Sequence, residues 1–433
     1  MPMEKYHKSY LTLGIPLGLE SFFLVLINAV NQILVSSLGK EVIAAVAIIS
    51  QPRMIVYAFA RSISYSLSIM ISKEIDEDEE IFPAFILPAF IFMGFILTLM
   101  FIFIRPILIF AGAREDYLNM AITYARWNIG FILFYSFTTI GQSVLISKGH
   151  GTFILLSNII SSLINIGLCY CLIHGIFVKD PMGIVGLGLG GLVSSIINFI
   201  LTLIFLLAKG YLVLRDLKLF PSISLFEKFK KEFNGIFLEQ ISERLGMFLY
   251  AKFAASLGTA QFAAHSIGMN IGDMYWAFAQ GMSKASMTLS SELFARKKAR
   301  DFRSLFSFAS WVNFTLSILV AIGFYFFGAK LVGIYTKDPD VFGLTMLLIP
   351  FTALVSFPEG QAMIGSSSLR AIGRAKLVAL LYFITTSLIR PFATRGLIGL
   401  FGYLGPIIAL FIDQVLKAFT TNFFLIRDKN LRK

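Results

Sequence analysis

Glu239 and Glu243 stand four residues apart inside an apolar stretch, Asn234–Gly258 (NGIFLEQISERLGMFLYAKFAASLG), which also carries Arg244 and Lys252. On a helix, residues four apart share one face, so the two carboxylates would point the same way. The stretch is apolar enough to lie in a bilayer, where ionisable side chains are expensive and by default mark an ion or substrate pathway. Asp273, Glu359 and Asp413 are further acids in apolar surroundings, and Arg53 and Arg61 share another apolar run. Such groups suit cation binding and proton exchange. Hydrolytic chemistry has no support: there is no H-E-x-x-H run, no Ser–His pairing and no metal-ligand cluster.

The elements that must position these residues are membrane-crossing helices. The chain has 433 residues, 57% hydrophobic and 14% charged, with a mean hydropathy of +0.79; a soluble protein carries about 25% charge. Apolar runs longer than a span follow one another almost without a break. The expectation is an all-α polytopic membrane protein with twelve spans: 10–36, 44–72, 81–111, 117–146, 152–178, 183–208, 233–257, 262–291, 302–333, 340–370, 374–395 and 397–426. Residues 209–232 differ, being basic, amphipathic and broken by Pro221, and read as a cytoplasmic linker at the interface. They separate a first lobe, 1–208, from a second, 233–433. The side of the membrane holding both termini collects about 22 Lys and Arg against about 7 on the other, which makes it cytoplasmic.

A net charge of +12 raises nucleic acid as a partner, but the cations fall in short loops between spans, where positive-inside bias accounts for them. The acidic run Asp76–Glu80 reads as a solvated loop. Cys169 and Cys171 both lie in an apolar run, so neither a disulfide framework nor a zinc site is expected. The run after Tyr10 is too long for a cleavable signal, and no small-residue cleavage site follows it. No cofactor is expected, and the chain is read as a monomer in the cell (inner) membrane.

An internal repeat follows from the even split. An offset of 219 residues pairs Glu20 with Glu239, Ser37-Leu38-Gly39 with Ser256-Leu257-Gly258, and Ala44-Ala45 with Ala263-Ala264, without gaps. Each half has an even number of spans, so the halves point the same way, related by an axis along the membrane normal. Two six-helix bundles of this kind make a transporter scaffold.

In order and spacing, SLG-(4)-AAV at 37–46, SKGHGTF at 147–153, GIVGLGLGGLVSSII at 183–197, LEQISERLGMFLYAKFAASLGTAQFAAHSIGMNI at 238–271 and SLRAIGRAK at 368–376 span nearly the whole chain. On these segments the chain resembles the multidrug and toxic compound extrusion (MATE) family. The resemblance implies two pseudo-symmetric lobes around a central cleft open to each side in turn. It also implies export of amphipathic, often cationic compounds against an inward flow of Na⁺ or H⁺.

Site residues follow from the same resemblance. Members commonly carry a first-span Asp eight residues before the Gly of the LG pair; that position is Asn31 here. The fifth-span N-x-x-x-D pattern falls on Asn165 and Cys169, and a sixth-span Thr falls on Gly191. The first lobe thus keeps one amide and lacks both carboxylates and the hydroxyl. In the second lobe, the seventh-span Glu of coupled members lands on Glu243, and its tenth-span partner acid lands on Glu359. Pro358 and Gly360 flank Glu359 and would loosen the helix there. Glu239, Asn270 and Asp273 complete the candidates. Two acids facing one cavity repel each other, which favours uptake of a proton or Na⁺ between them.

Structural roles compete at several positions. Glu239 has a repeat twin in Glu20, whereas Glu243 is matched by Leu24, so Glu243 is the acid special to the second lobe. Arg244, next in sequence, would face away from Glu243. Asp413 suits a helix–helix pair, and His265 suits a structural place. Arg61 facing the first lobe's interior would help explain the loss of a cation site there. A flippase for a lipid-linked saccharide is the alternative within the same superfamily; twelve spans and acids in the second lobe favour the exporter.

Overall fold

Where water is excluded, a backbone group must find its hydrogen-bond partner within its own segment, so long apolar runs become helices. The computed structural model describes residues 2–73, 78–148, 150–176, 180–428 and 431. Asp76 and Glu77 lie outside the described residues, as do the side chains of the rest of that acidic run and those of Glu20 and Glu239. Among the described residues there is no strand.

The helices are α1 (Pro2–Ser36), α2 (Lys40–Lys73), α3 (Asp78–Ile102), α4 (Ile104–Ala111), α5 (Glu115–Ser147), α6 (Gly151–His174) and α7 (Gly183–Ala208). They continue with α8 (Ile223–Ala255), α9 (Thr259–Ala295), α10 (Ala299–Tyr335), α11 (Pro339–Ala371), α12 (Ala375–Tyr382), α13 (Arg390–Phe401) and α14 (Gly405–Arg427). A π-helical segment, Phe383–Ile389, joins α12 to α13. By length and composition, eight helical stretches among the described residues can cross a membrane. The chain is an all-α polytopic membrane protein.

Among the boundaries that differ from the sequence reading, two fall at prolines. The third expected span breaks at Phe103 into α3 and α4, where Pro106 withholds a backbone donor from the first turn of α4. The segment 209–232 divides at Pro221: an irregular part with one short 3₁₀ turn, Leu214–Asp216, precedes it, and α8 starts at Ile223.

The chain forms two compact units. One comprises Met1–Ile43 with Leu249–Lys433, the other Ala44–Phe248. These limits cut across the two sequence halves: α1 belongs with the helices of the second half, and α8 as far as Phe248 belongs with those of the first. In the first unit, α9 packs along α1 and α11, and α11 also packs on α10 and α14. The side-chain carboxylate of Asp338 caps α11 by accepting from Asp340 N at 2.9 Å and Val341 N at 3.2 Å, ahead of Pro339 in the first turn. In the second unit, α7 packs against α5 and α6.

Small residues let membrane helices approach backbone to backbone. At Gly281 a Cβ would stand 2.3 Å from Gly18 N and Leu17 O, so α9 meets α1 with no room for a side chain. We expect Gly281→Ala to push α1 away and lower the stability of the purified protein by about 1–3 kcal/mol, read as a lower unfolding temperature in detergent. An unchanged unfolding temperature would show that this contact is not held in solution.

Candidate functional site

The site in the first unit starts from Asp413, in the middle of α14, with its side chain fully buried. One of its oxygens, Oδ2, accepts from Arg390 Nε at 2.9 Å, from Arg390 Nη2, and from Lys417 Nζ at 3.0 Å. Lys417 is one helical turn on, where an (i, i+4) partner belongs. Arg390 reaches the acid from α13, at the end of the π-helical segment: its backbone N–H bonds Thr385 O, five residues back. Pro391 follows and has no N–H to give the ladder. A wider turn shifts the register of every later side chain, and such turns gather at functional sites. Aromatic faces cover both cations: Arg390 lies 5.7 Å from the Tyr250 ring centroid and Lys417 4.5 Å from that of Tyr382.

Glu359, partly buried on α11, interacts electrostatically with Asp273, Arg390, Lys417 and Asp413. Counted over these five described residues, three carboxylates and two cations give a formal charge of minus one when all are ionised. Glu359 and the more exposed Asp273 on α9 line one small cavity with Tyr275, Thr352 and Ser356. It has about 30 Å³ of room for the centres of water-sized molecules, space for roughly two waters or one bare cation. The hydroxyls of Thr352 and Ser356 donate to carbonyls of their own helix, at 3.1 and 2.7 Å. Their oxygen lone pairs stay available to a cation or a water.

The surroundings are tied by hydroxyls on α10. Ser317 donates to Tyr275 Oη at 3.0 Å and also contacts Ser356 O at 3.1 Å, while Asn313 donates to Tyr10 Oη at 3.3 Å. Gly360 fits this seam, since a Cβ there would stand 2.2 Å from Tyr275 Oη. α11 runs unbroken past Pro358 and Gly360, so the glycine serves close packing where the sequence suggested a loosened helix.

In the second unit, Asn165, Cys169 and Gly191 come together between α6 and α7. Asn165 Nδ2 donates to Ser194 Oγ at 3.3 Å, and Cys169 Sγ points to Leu187 O at 3.7 Å. A Cβ on Gly191 would lie 3.8 Å from Asn165 Nδ2 and 3.7 Å from the Phe131 ring. Asn31, the fourth residue expected there, belongs to the first unit, where its buried Oδ1 has no hydrogen-bond partner among the described residues.

The MatE family model matches two stretches of this sequence, residues 16–171 and 236–394. The chain belongs to the MatE family. Its starting points on the two stretches lie close to the 219-residue offset found within the sequence. This MatE chain is 24% identical over 230 residues to the "Probable multidrug resistance protein NorM" of Mannheimia succiniciproducens, a match covering 51% of the chain and 48% of that protein. It thus spans about half the length of that curated relative. Against the "Probable multidrug resistance protein YoeA" of Bacillus subtilis it is 23% identical over 356 residues, 78% of the chain and 74% of that protein. A solved structure described as the inward-facing conformation of a multidrug resistance MATE family transporter of the MOP superfamily superposes with a TM-score of 0.87. The match covers 98% of this chain and 99% of that one, at 19% identity, and shows a shared fold.

Of the acids expected in this MatE protein, Glu359 and Asp273 share a cavity. Asn270 bonds the carbonyl of Ser266 on its own helix, at 3.0 Å. Glu243 belongs to the second unit and is half-exposed, with Arg244 Nη2 3.8 Å from its Oε1. The expectation that Arg244 faces away is corrected: two long side chains bend toward each other along the helix surface, a weak pairing at this exposure. His265 is buried against the Tyr250 ring, a packing place. Sequence reading missed Arg390 and Lys417. The Asp413/Lys417 spacing was a usable signal, but nothing local joins Arg390 to an acid 23 positions later.

Removing Asp413 takes from two buried cations the carboxylate that bonds both of them. We expect Asp413→Ala to cost about 3–5 kcal/mol, and the uncharged triple change Arg390→Met, Asp413→Leu, Lys417→Met to recover most of it. Unfolding in detergent checks this; a single variant as stable as the parent would dissolve the cluster as a structural element.

Proposed function

We propose that this MatE protein is a secondary antiporter that exports amphipathic small molecules by alternating access, driven by entry of H⁺ or Na⁺ at Glu359 and Asp273. The observation that carries the reading is that Glu359 and Asp273 line one cavity beside the Arg390–Asp413–Lys417 cluster, five described residues whose formal charges sum to minus one. In a low-dielectric interior an excess charge is costly, so one monovalent cation at the Glu359–Asp273 cavity brings the group to neutrality. Such loading drives transport only by binding one global conformation more tightly than the other. The Arg390–Asp413–Lys417 clamp would supply a fixed positive background that keeps the cavity from holding a second cation.

Glu243 stays in the proposal as a second coupling carboxylate on the strength of the family resemblance, as do twelve spans in two like-oriented halves with both termini cytoplasmic. Substrates would be small amphipathic molecules taken from the bilayer or cytoplasm, handled by a monomer of the inner membrane without a cofactor.

In proteoliposomes with an imposed pH or Na⁺ gradient, we expect Glu359→Gln, Asp273→Asn and Glu243→Gln each to reduce efflux of a lipophilic fluorescent cation to the passive leak. Asn31→Ala should largely spare it. Gradient-driven efflux that survives in Glu359→Gln would remove the coupling assignment. The gradient that supports transport identifies the ion.

A further inference from the structure

The second unit carries a charged stripe that the coupling cluster does not use. Arg53, Tyr57, Arg61 and Tyr65 recur every fourth residue of α2, so they line one face of that helix. Both guanidinium carbons lie close to the buried Tyr57 ring, Arg53 at 6.0 Å and Arg61 at 5.9 Å from its centroid. Arg61 Nη2 donates to Tyr135 Oη at 3.5 Å, and the Tyr57 and Tyr135 rings stack at a tilt, 4.3 Å between centroids. Arg53 shares a hydrogen bond with the buried Tyr124, yet its own Nε–H is buried with no acceptor among the described residues.

No acid answers these cations. Among the described residues neither arginine forms an ion pair, and the groups that act on Arg61 are the three phenols of Tyr135, Tyr65 and Tyr57. Two arginines in an apolar run without a counter-ion contrast with the first unit, where Arg390 and Lys417 share a carboxylate. An intramembrane arginine normally pairs with an acid or a carbonyl, or marks a ligand's path. The stripe also adjoins the place where the family's cation ligands were expected. Tyr124 interacts with Cys169, and Phe131, which stacks with Tyr135 at 6.0 Å, neighbours Gly191. Where a carboxylate pair would draw a cation, this chain presents guanidiniums and phenols.

We propose that Arg53 and Arg61, with the phenols of Tyr57, Tyr124 and Tyr135, form an oxyanion site that takes the carboxylate or phosphate of an aromatic amphipathic molecule. The arginine forks match planar or tetrahedral oxyanions, the phenol hydroxyls add donors, and the half-buried Tyr135 ring offers its edge and remaining face to the ligand's aromatic body. The substrate class of this exporter would then include organic anions or zwitterions, beyond the lipophilic cations that the family resemblance suggests. The site needs no ion gradient, so it stands or falls separately from the coupling assignment.

Equilibrium binding to the full-length protein in detergent tests this, with naphthalene carboxylate as probe and naphthylmethylammonium as its cationic counterpart. The carboxylate is expected to bind and the ammonium not. Arg53→Gln and Arg61→Gln should each weaken carboxylate binding about tenfold or more, with elution profile and unfolding temperature showing that they fold. Arg61→Lys keeps the charge and should retain part of the affinity. Adding phosphatidylglycerol, with phosphatidylcholine as control, separates two sources of the same chemistry. Competition by the anionic lipid assigns the site to a headgroup, and its absence assigns it to a soluble organic anion. No carboxylate binding, or equal binding in the parent and both Gln variants, overturns the proposal.

Discussion

The cost of holding net charge away from water governs the first unit. Asp413 gives one oxygen to two cations, Arg390 and Lys417, and aromatic rings cover what that oxygen does not satisfy. Charges so deeply buried persist only when paired and hydrogen-bonded, because desolvation otherwise exceeds the Coulomb gain. The clamp leaves one positive charge over, and Glu359 and Asp273 reverse that excess to one negative charge. Every proposed property of the cavity follows from this remainder, since its occupant must be small and singly positive.

Backbone chemistry places those charges. A π-helical segment and a proline set the register of Arg390; a glycine at 360 admits the Tyr275 hydroxyl beside Glu359. Hydroxyl bridges along α10 then tie α1, α9 and α11 to one helix. Irregular positions in α11 and α13 therefore act as spacers that fix side-chain position, with no break in the helix at Glu359.

The two units solve the burial of charge in different ways. The first neutralises its cations with a carboxylate. The second surrounds Arg53 and Arg61 with phenols, and no acid among the described residues pairs with either; the oxyanion proposed there would meet their charge. Asn165, Cys169 and Gly191, the positions on which the family resemblance places cation ligands, carry no charge of their own.

Unbroken apolar runs determined the fold class, because within a bilayer such a run satisfies its backbone as a helix, whereas a barrel strand alternates apolar with polar residues. The motif order was enough to place it in its family, and the same resemblance marked Glu359. Short-range periodicity also held the (i, i+4) relations of Asp413 with Lys417 and of Arg53, Tyr57 and Arg61, since a helix brings those positions onto one face whatever else it touches. Tertiary structure decided the rest. It brought Arg390 to Asp413 across 23 residues, joined Asp273 to Glu359 in one cavity, and brought Asn165 close to Gly191 between α6 and α7. The opening stretch Asn234–Gly258 was divided as well: its two best-marked acids fall in one unit, and Tyr250 beyond them in the other. Helix-to-helix contacts depend on packing between segments distant in the chain, and local spacing carries no record of that.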